Sequence, residues 1–272
     1  MAAKPRMLIT AGPTHEMIDA VRYIANRSSG RLGTHLAHAA RDAGWNVTLL
    51  LGPVTAPSMC HAQPRPAGHG RSKPRPCHQP RPCHQLENDL LDGVRTVRFE
   101  STADLADLLD QHFPRCDVLI MAAAVADYRP RRSTARKLPR TKKKLVLELE
   151  PTPDLVAACA ARKRTGQRIV GFALEEAAEL DARAPAKLRR KGLDAIVANP
   201  LETMGSGDIH AVVYTATGEA ISPASPCDRS RRGSTQPLSK DAFARWLIDW
   251  IDARGWRPRH VTSTEPGRTR RR

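Results

Sequence analysis

Residues 7–33 read MLITAGPTHEMIDAVRYIANRSSGRLG, and this stretch decides how the rest of the chain is read. A buried-strand pattern, Met7-Leu8-Ile9, runs into a Gly12-Pro13 turn. A second turn, Asn26-Arg27-Ser28-Ser29-Gly30, then opens a helix. Hydroxyls, glycines and unpaired helix-start amides are thereby gathered where a strand ends. Such a place favours anions, because free backbone N–H groups and the helix dipole both point at the ligand. A phosphate is the expected guest.

Working outward, Leu36, Ala37, Ala40 and Ala43 recur at helical spacing, and Gly44 follows as a stop. A second strand over 47–51 ends at Gly52-Pro53, and a third follows at 94–99. Ser101 then caps a helix with Leu105, Leu108 and Leu109 on one face and an acid, Asp104, three residues after the cap. Residues 118–123 form a continuous apolar strand, as in the middle of a parallel sheet. Strands at 169–173 and 195–199 flank a basic helix at 180–191. Residues 211–214 with Thr217-Gly218-Glu219 suggest a hairpin, and 241–251 a last amphipathic helix. The order predicts an α/β fold: a Rossmann-like, doubly wound, mostly parallel sheet with a small C-terminal hairpin extension. Ligands bind such sheets beyond the carboxyl ends of the strands. Thr10-Ala11-Gly12-Pro13-Thr14 and Ala124-Val125-Ala126-Asp127-Tyr128 occupy two of those ends.

The chain has 272 residues, 40% of them apolar, which suffices for a core built from Leu, Val, Ile and Ala because aromatics are few. No apolar run of about 18 residues is present, and the start MAAKPRM is not signal-like, so a soluble cytoplasmic protein is expected. The net charge of +16 points toward a polyanion partner. Its distribution weakens that reading, because the excess lies at 65–81, 129–144 and 254–272. The first and last of these are rich in Pro, Gly, Arg and polar residues and are expected to be unfolded. One domain over 1–253 is therefore expected, with a disordered low-complexity insert at 57–88 and a basic tail at 254–272. No stacking aromatics accompany the charge, which places nucleic acid second.

Cys60-His61, Cys77-His78 and Cys83-His84 carry zinc-type ligands. The hexapeptide PRPCHQ, however, occurs twice in succession over 74–85, which favours repeat expansion over a built metal site. Nothing spaces these or Cys116, Cys159 and Cys227 as a disulfide framework. No metal ligands are assigned.

Four separated motifs, in order, resemble the bacterial phosphopantothenate-cysteine ligase family: Ile9 to Thr14, Val21 to Gly30, Ala122 to Pro130, and Lys187 to Asn199. One motif alone would be weak; several in sequence are not. The resemblance implies a two-step ligation of coenzyme A biosynthesis. The carboxylate of 4′-phosphopantothenate attacks CTP to give an acyl-cytidylate and pyrophosphate, and the amine of L-cysteine then displaces CMP. CTP is the implied co-substrate, with Mg²⁺. Phosphoryl transfer of this kind needs positioned cations more than a nucleophilic side chain.

By the same resemblance Asn26 handles the acyl-cytidylate, its amide donating to the developing oxyanion, and Arg22 serves the same step. Without it, Asn26 reads equally well as a helix cap and Arg22 as a surface cation. Met121, Ala122, Ala123 and Asp127 match the nucleotide-contacting turn, where small side chains let the base approach the backbone. Lys137 matches the first lysine of a Lys-x-Lys-Lys phosphate loop, although here the loop reads Lys137-Leu138-Pro139-Arg140. Pro153, Asp154, Leu155 and Val156 match a Pro-Asp-Ile-Val segment at the nucleotide, and Phe172 a pocket phenylalanine. Lys187 and Lys191, four apart on one helix face, match the lysines that complete the CTP site.

Family members are homodimers in which one subunit completes the other's site. With these motifs beginning near residue 7, the flavin-dependent decarboxylase often fused to such ligases is expected as a separate protein. A nicotinamide oxidoreductase on the same sheet is a poor fit: the glycines of Gly30-Arg31-Leu32-Gly33 lie far beyond Ile9, and the second strand ends at Gly52 without a carboxylate. A nucleic-acid-binding protein on a Rossmann-like fold explains the charge but none of the motifs.

Overall fold

The computed structural model describes residues 4–54, 89–91, 93–223 and 237–258. Its centre is a nine-stranded sheet of β1 (Arg6–Ala11), β2 (Asn46–Leu51), β3 (Asp89–Leu91), β4 (Val94–Arg98), β5 (Val118–Met121), β6 (Arg168–Glu175), β7 (Ala195–Pro200), β8 (Val212–Thr215) and β9 (Ala220–Ile221), in the order β9-β8-β7-β6-β5-β1-β2-β4-β3. The six strands from β4 to β7 are mutually parallel. Renumbered among themselves they follow the 3-2-1-4-5-6 order of dinucleotide-binding sheets. The hairpin β8–β9 and strand β3 add antiparallel edges. The Rossmann-like expectation therefore holds, hairpin extension included.

Alternation along the strands divides the interior into two cores, since successive side chains point to opposite faces. Met7, Ile9 and Ala11 of β1 and Val118 and Ile120 of β5 face the layer made by α1 (Arg31–Asp42) and α5 (Lys240–Ala253). Leu8 and Leu119 face the layer of α2 (Thr102–His112), α3 (Leu155–Ala161) and α4 (Leu180–Lys191). Helix α1 buries Gly33, Leu36, Ala37 and Ala40, a stripe of period 3–4. It packs so tightly on β1 that a Cβ on Gly33 would sit 2.4 Å from the Cβ of Ala11. Helix α2 carries the expected capping box, Ser101 with Asp104.

Several expectations are corrected. Helix α1 starts at Arg31, and its cap is Gly30 at φ 68°, where glycine is favoured; Asn26 is therefore no helix cap. Strand β5 ends at Met121 rather than at residue 123, leaving Ala122 and Ala123 in the turn beyond it. Helix α3 was not foreseen. Neither were two small antiparallel arms, Glu16–Met17 with Tyr23–Ile24 and Tyr128–Pro130 with Leu149–Pro151. The start of the expected tail is packed: Arg257 pairs with Asp252 and donates to the carbonyl of Ala43. The insert at 57–88 and residues 259–272 lie outside the described residues, as do Cys60, Cys77, Cys83 and Cys227. Cys116 and Cys159 are buried free thiols.

Candidate active site

The order of parallel strands reverses between β1 and β5, so their carboxyl ends splay into a crevice. Backbone bonds stitch the two turns that leave them. The Ala124 amide donates to the Gly12 carbonyl at 2.9 Å, and the Thr14 amide to Ala124 at 3.3 Å. Two buried hydroxyls finish the joint. Thr10 Oγ1 accepts from the Ala123 amide at 3.0 Å, and Thr14 Oγ1 from the Ala126 amide at 2.9 Å.

Above this joint opens a cleft of about 1010 Å³. One wall is residues 25–33, the segment that leads into α1. The floor is Met121, Ala122, Ala123 and the turn to Asp127, and the far wall is Pro153 to Val156, Phe172 and the face of α4 with Lys187 and Lys191. The seam at 25–33 offers Ser28, Ser29 and the first amides of α1, whose Gly30 cap makes no side-chain bond to them. The anion-favouring corner read from the sequence thus faces the cleft.

Asn26 donates through Nδ2 to the carbonyl of Val125 at 2.8 Å, fixing its amide plane against the β5 turn. Asp154 caps α3 by accepting from the Ala157 amide at 3.2 Å, and it pairs with Lys191 at 2.9 Å. Lys187 lies 3.8 Å from Glu175. Burial, then the neighbouring Lys191, push its ammonium below the usual lysine value, with Glu175 and Asp127 opposing. Phe172 projects from β6 toward the α1/α5 layer, partly buried, with part of its surface left to the cleft.

Two predicted residues are elsewhere. Arg22 is not on the cleft wall: its guanidinium grips the carboxylate of Asp19, with Nε to Oδ2 at 2.9 Å, and reaches the carbonyl of Leu138 at 3.1 Å. Lys137 is exposed on the loop that Leu138 ties to the same carboxylate. The two are brought together, but away from the cleft of their own chain.

Conversely, the cleft includes Lys240, Asn199, Thr203, Met204 and Gly205, which were not singled out as site residues. Lys240 opens α5 and donates to the carbonyl of Ser206 at 2.6 Å. Burial and the nearby Arg31 lower its proton affinity. Its local sequence holds no signal, because only the packing of α5 on α1 carries it to the cleft. Asn199 donates to Thr203 Oγ1 and keeps a buried Oδ1 without a hydrogen-bond partner.

A Rossmann-like, doubly wound sheet with lysines gathered at its crevice defines the class. Matched to known families, the chain fits the DNA/pantothenate metabolism flavoprotein C-terminal domain over residues 2–65 and 84–253, and it belongs to that family. Within it the chain is similar to the phosphopantothenoylcysteine synthetase-type domains of coenzyme A biosynthesis proteins. The coenzyme A biosynthesis bifunctional protein CoaBC of Vibrio vulnificus (strain CMCP6) is 33% identical over 223 residues, covering 80% of this chain and 47% of that protein. A cysteine/cysteine sulfinic acid decarboxylase of an unknown prokaryotic organism is 38% identical over 205 residues, covering 75% and 48%. The chain thus spans about half the length of the curated relatives it matches. Among solved structures, the C-terminal domain of a CoaBC superposes with a TM-score of 0.63 at 31% identity, covering 92% of this chain and 95% of that one. A Cab2 mutant in complex with phosphopantothenate-cysteine shares the fold at TM-score 0.64 and 18% identity.

Proposed function

We propose that this chain is a CTP-dependent phosphopantothenate-cysteine ligase. One observation carries the reading: Asn26, locked on the Val125 carbonyl, faces Lys187 and Lys191 across a cleft at the strand-order reversal. In the first step a carboxylate oxygen of 4′-phosphopantothenate bonds to the α-phosphorus of CTP, and the bond to the bridging oxygen breaks to release pyrophosphate. In the second, the nitrogen of L-cysteine bonds to the acyl carbon, the bond to CMP breaks, and the amine gives up a proton. The lysines supply charge for the polyphosphate; Asn26 supplies a fixed donor for the oxygen that becomes negative as cysteine attacks.

The small side chains of Ala122 and Ala123 leave room for the base against the backbone, beside Asp127, while Pro153 to Val156 and Phe172 flank it. Lys240 and Arg31 offer a second cationic end for the other phosphate that the reaction brings. Mg²⁺ is proposed as part of the substrate, MgCTP, held through phosphate oxygens. Among the described residues no group of three or more His, Cys, Asp or Glu gathers as a separate metal seat.

A homodimer is proposed because the arms expose apolar residues in a cluster of sequence: Val21 and Tyr23 on one, Tyr128 and Leu149 on the other, and Leu145 to Leu147 beside it, with Val146 85% exposed. Such surface favours a partner. Arg22 and Lys137 sit on the same corner and would complete the cleft of the second copy. No helix among the described residues is long and apolar enough to cross a membrane, and the cytoplasm is the proposed location. A phosphopantothenoylcysteine decarboxylase is the proposed pathway partner.

The test is pyrophosphate release by the purified protein given 4′-phosphopantothenate, Mg²⁺ and CTP or ATP, with and without cysteine. Release with CTP, followed by cysteine-dependent CMP, is expected. No release with either nucleotide would overturn the reading.

A further inference from the structure

Asp19 has no part in the reading above, yet it is 1% exposed, in a surface arm. A carboxylate in such a place is costly unless every lone pair is used. Here they are. Oδ1 accepts from the amides of Val21 at 2.9 Å and Arg22 at 2.8 Å. Oδ2 accepts from Arg22 Nε at 2.9 Å, from Arg22 Nη2, and from the Leu138 amide at 3.1 Å. Arg22 Nη2 closes the ring on the Leu138 carbonyl at 3.1 Å. The Arg22 guanidinium holds the carboxyl far below the ordinary carboxylate range.

The contacts to Oδ1 are a local turn, which many surface aspartates make. Oδ2 is different, because besides the nearby Arg22 guanidinium it accepts from the Leu138 amide, which joins segments 119 residues apart. The loop they hold, 131–144, reads RRSTARKLPRTKKK: eight cations and no acid. Such a segment repels itself and extends unless something anchors it. Asp19 is the buried anion held at its middle, on the amide of Leu138, the residue after Lys137.

We infer that Asp19 is a positioning residue of the ligase site: its Oδ2 latches the Arg22 guanidinium and the Leu138 amide into one unit, so that Arg22 and Lys137 are presented together. The inference rests on the ligase reading for what the unit does, but the latch itself is independent of it.

Asp19→Asn separates the two halves of the contact, because an amide oxygen still serves the local turn while its NH₂ cannot accept from Leu138 or Arg22. Leu138→Pro removes the amide donor while leaving Asp19 and its local turn in place, and serves if the first variant fails to fold. With proline after it, Lys137 resists trypsin, so cleavage of this variant is read at the other cations of the loop. Each variant is expected to be cut by trypsin within 131–144 about tenfold faster than the parent, the effect of losing one charge-assisted hydrogen bond on the open population. Each should raise the KM for CTP about tenfold with the KM for 4′-phosphopantothenate unchanged, a split that general loosening of the fold would not give. Adding Lys137→Ala to Asp19→Asn should cost little more than either alone. Unchanged trypsin cleavage in both variants would overturn the latch whatever the activity. Faster cleavage with an unchanged KM for CTP would overturn the positioning role. If the parent releases no pyrophosphate, the ligase reading fails and the cleavage rates still decide the latch.

Discussion

Lys191 and Asp154 meet at 2.9 Å where the last turn of α4 crosses the first turn of α3. The pair stands on the cleft wall, Lys191 nearly buried and Asp154 about half exposed, so the ammonium is held in place while part of its field is left for a ligand. Lys191→Met should raise the KM for CTP at least about tenfold, by loss of one phosphate-facing charge. Because Asp154 stays solvated, stability should fall by no more than about 1 kcal/mol, read from urea melts.

Asn26→Ala is expected to separate the two half-reactions. The enzyme should release one equivalent of pyrophosphate and accumulate the acyl-cytidylate, with amide formation slowed about 100-fold or more, as for loss of one oxyanion donor. Mass spectrometry of the quenched reaction reads both species. Normal turnover would remove Asn26 from the second step.

Lys187 gives a pH signature with two opposite signs. Its folded-state proton affinity is lowered by burial and by Lys191, so the unfolded chain binds more protons in the window just below the usual lysine value of 10.5. The ligand-free protein should therefore lose a destabilising contribution, and gain stability, as pH rises through that window. CTP affinity should fall over the same window, because the ammonium it uses is being lost. Calorimetric titration of CTP against pH checks this, and Lys187→Arg should move the alkaline fall upward.

Gly33→Ala tests how closely α1 must approach β1. The added Cβ would collide with the side chain of Ala11, at 2.4 Å, and the helix must shift. A loss of about 1–3 kcal/mol is expected, typical of overpacking. Since the same helix start lines the cleft, the KM for substrate should rise as well. Gly44→Ala, in open space at φ 87°, should cost stability without that change in KM.

Val146→Glu tests the second copy. Placing a charge on a side chain that is 85% exposed leaves the isolated subunit's stability nearly unchanged but should weaken association. Light scattering should show the shift from dimer to monomer, with activity falling in proportion. A wild-type protein that is monomeric and active would end the proposal that one subunit completes the other's cleft.

Legibility followed the range of the interactions involved. The sheet strands other than the edge strand β3, and α1, α2, α4 and α5, were readable because burial on one or both faces writes itself into the local sequence: Met7 to Ile9 as a continuous run, Leu36, Ala37 and Ala40 as a helical stripe, Ser101 and Asp104 as a cap. Much of the cleft was readable for a related reason, since the ends of parallel strands must carry the ligand, and Met121 to Asp127 and the approach to Gly30 lie at such ends. The small arms left no such mark. Their two- and three-residue strands are partly exposed, and Tyr128 pairs with Pro151 across a basic loop that no periodicity announces.

By itself the sequence determined the strand order class, the two-layered core and the family motifs, all of which depend on side-chain patterns within about ten residues of one another. Only the tertiary structure decided that Lys240 reaches the cleft and that Asp19 ties Arg22 to the Leu138 amide, beside Lys137 and away from the cleft. Those placements come from contacts between segments more than a hundred residues apart, whose geometry is set by how α5 packs on α1 and by which buried carboxylate finds a donor.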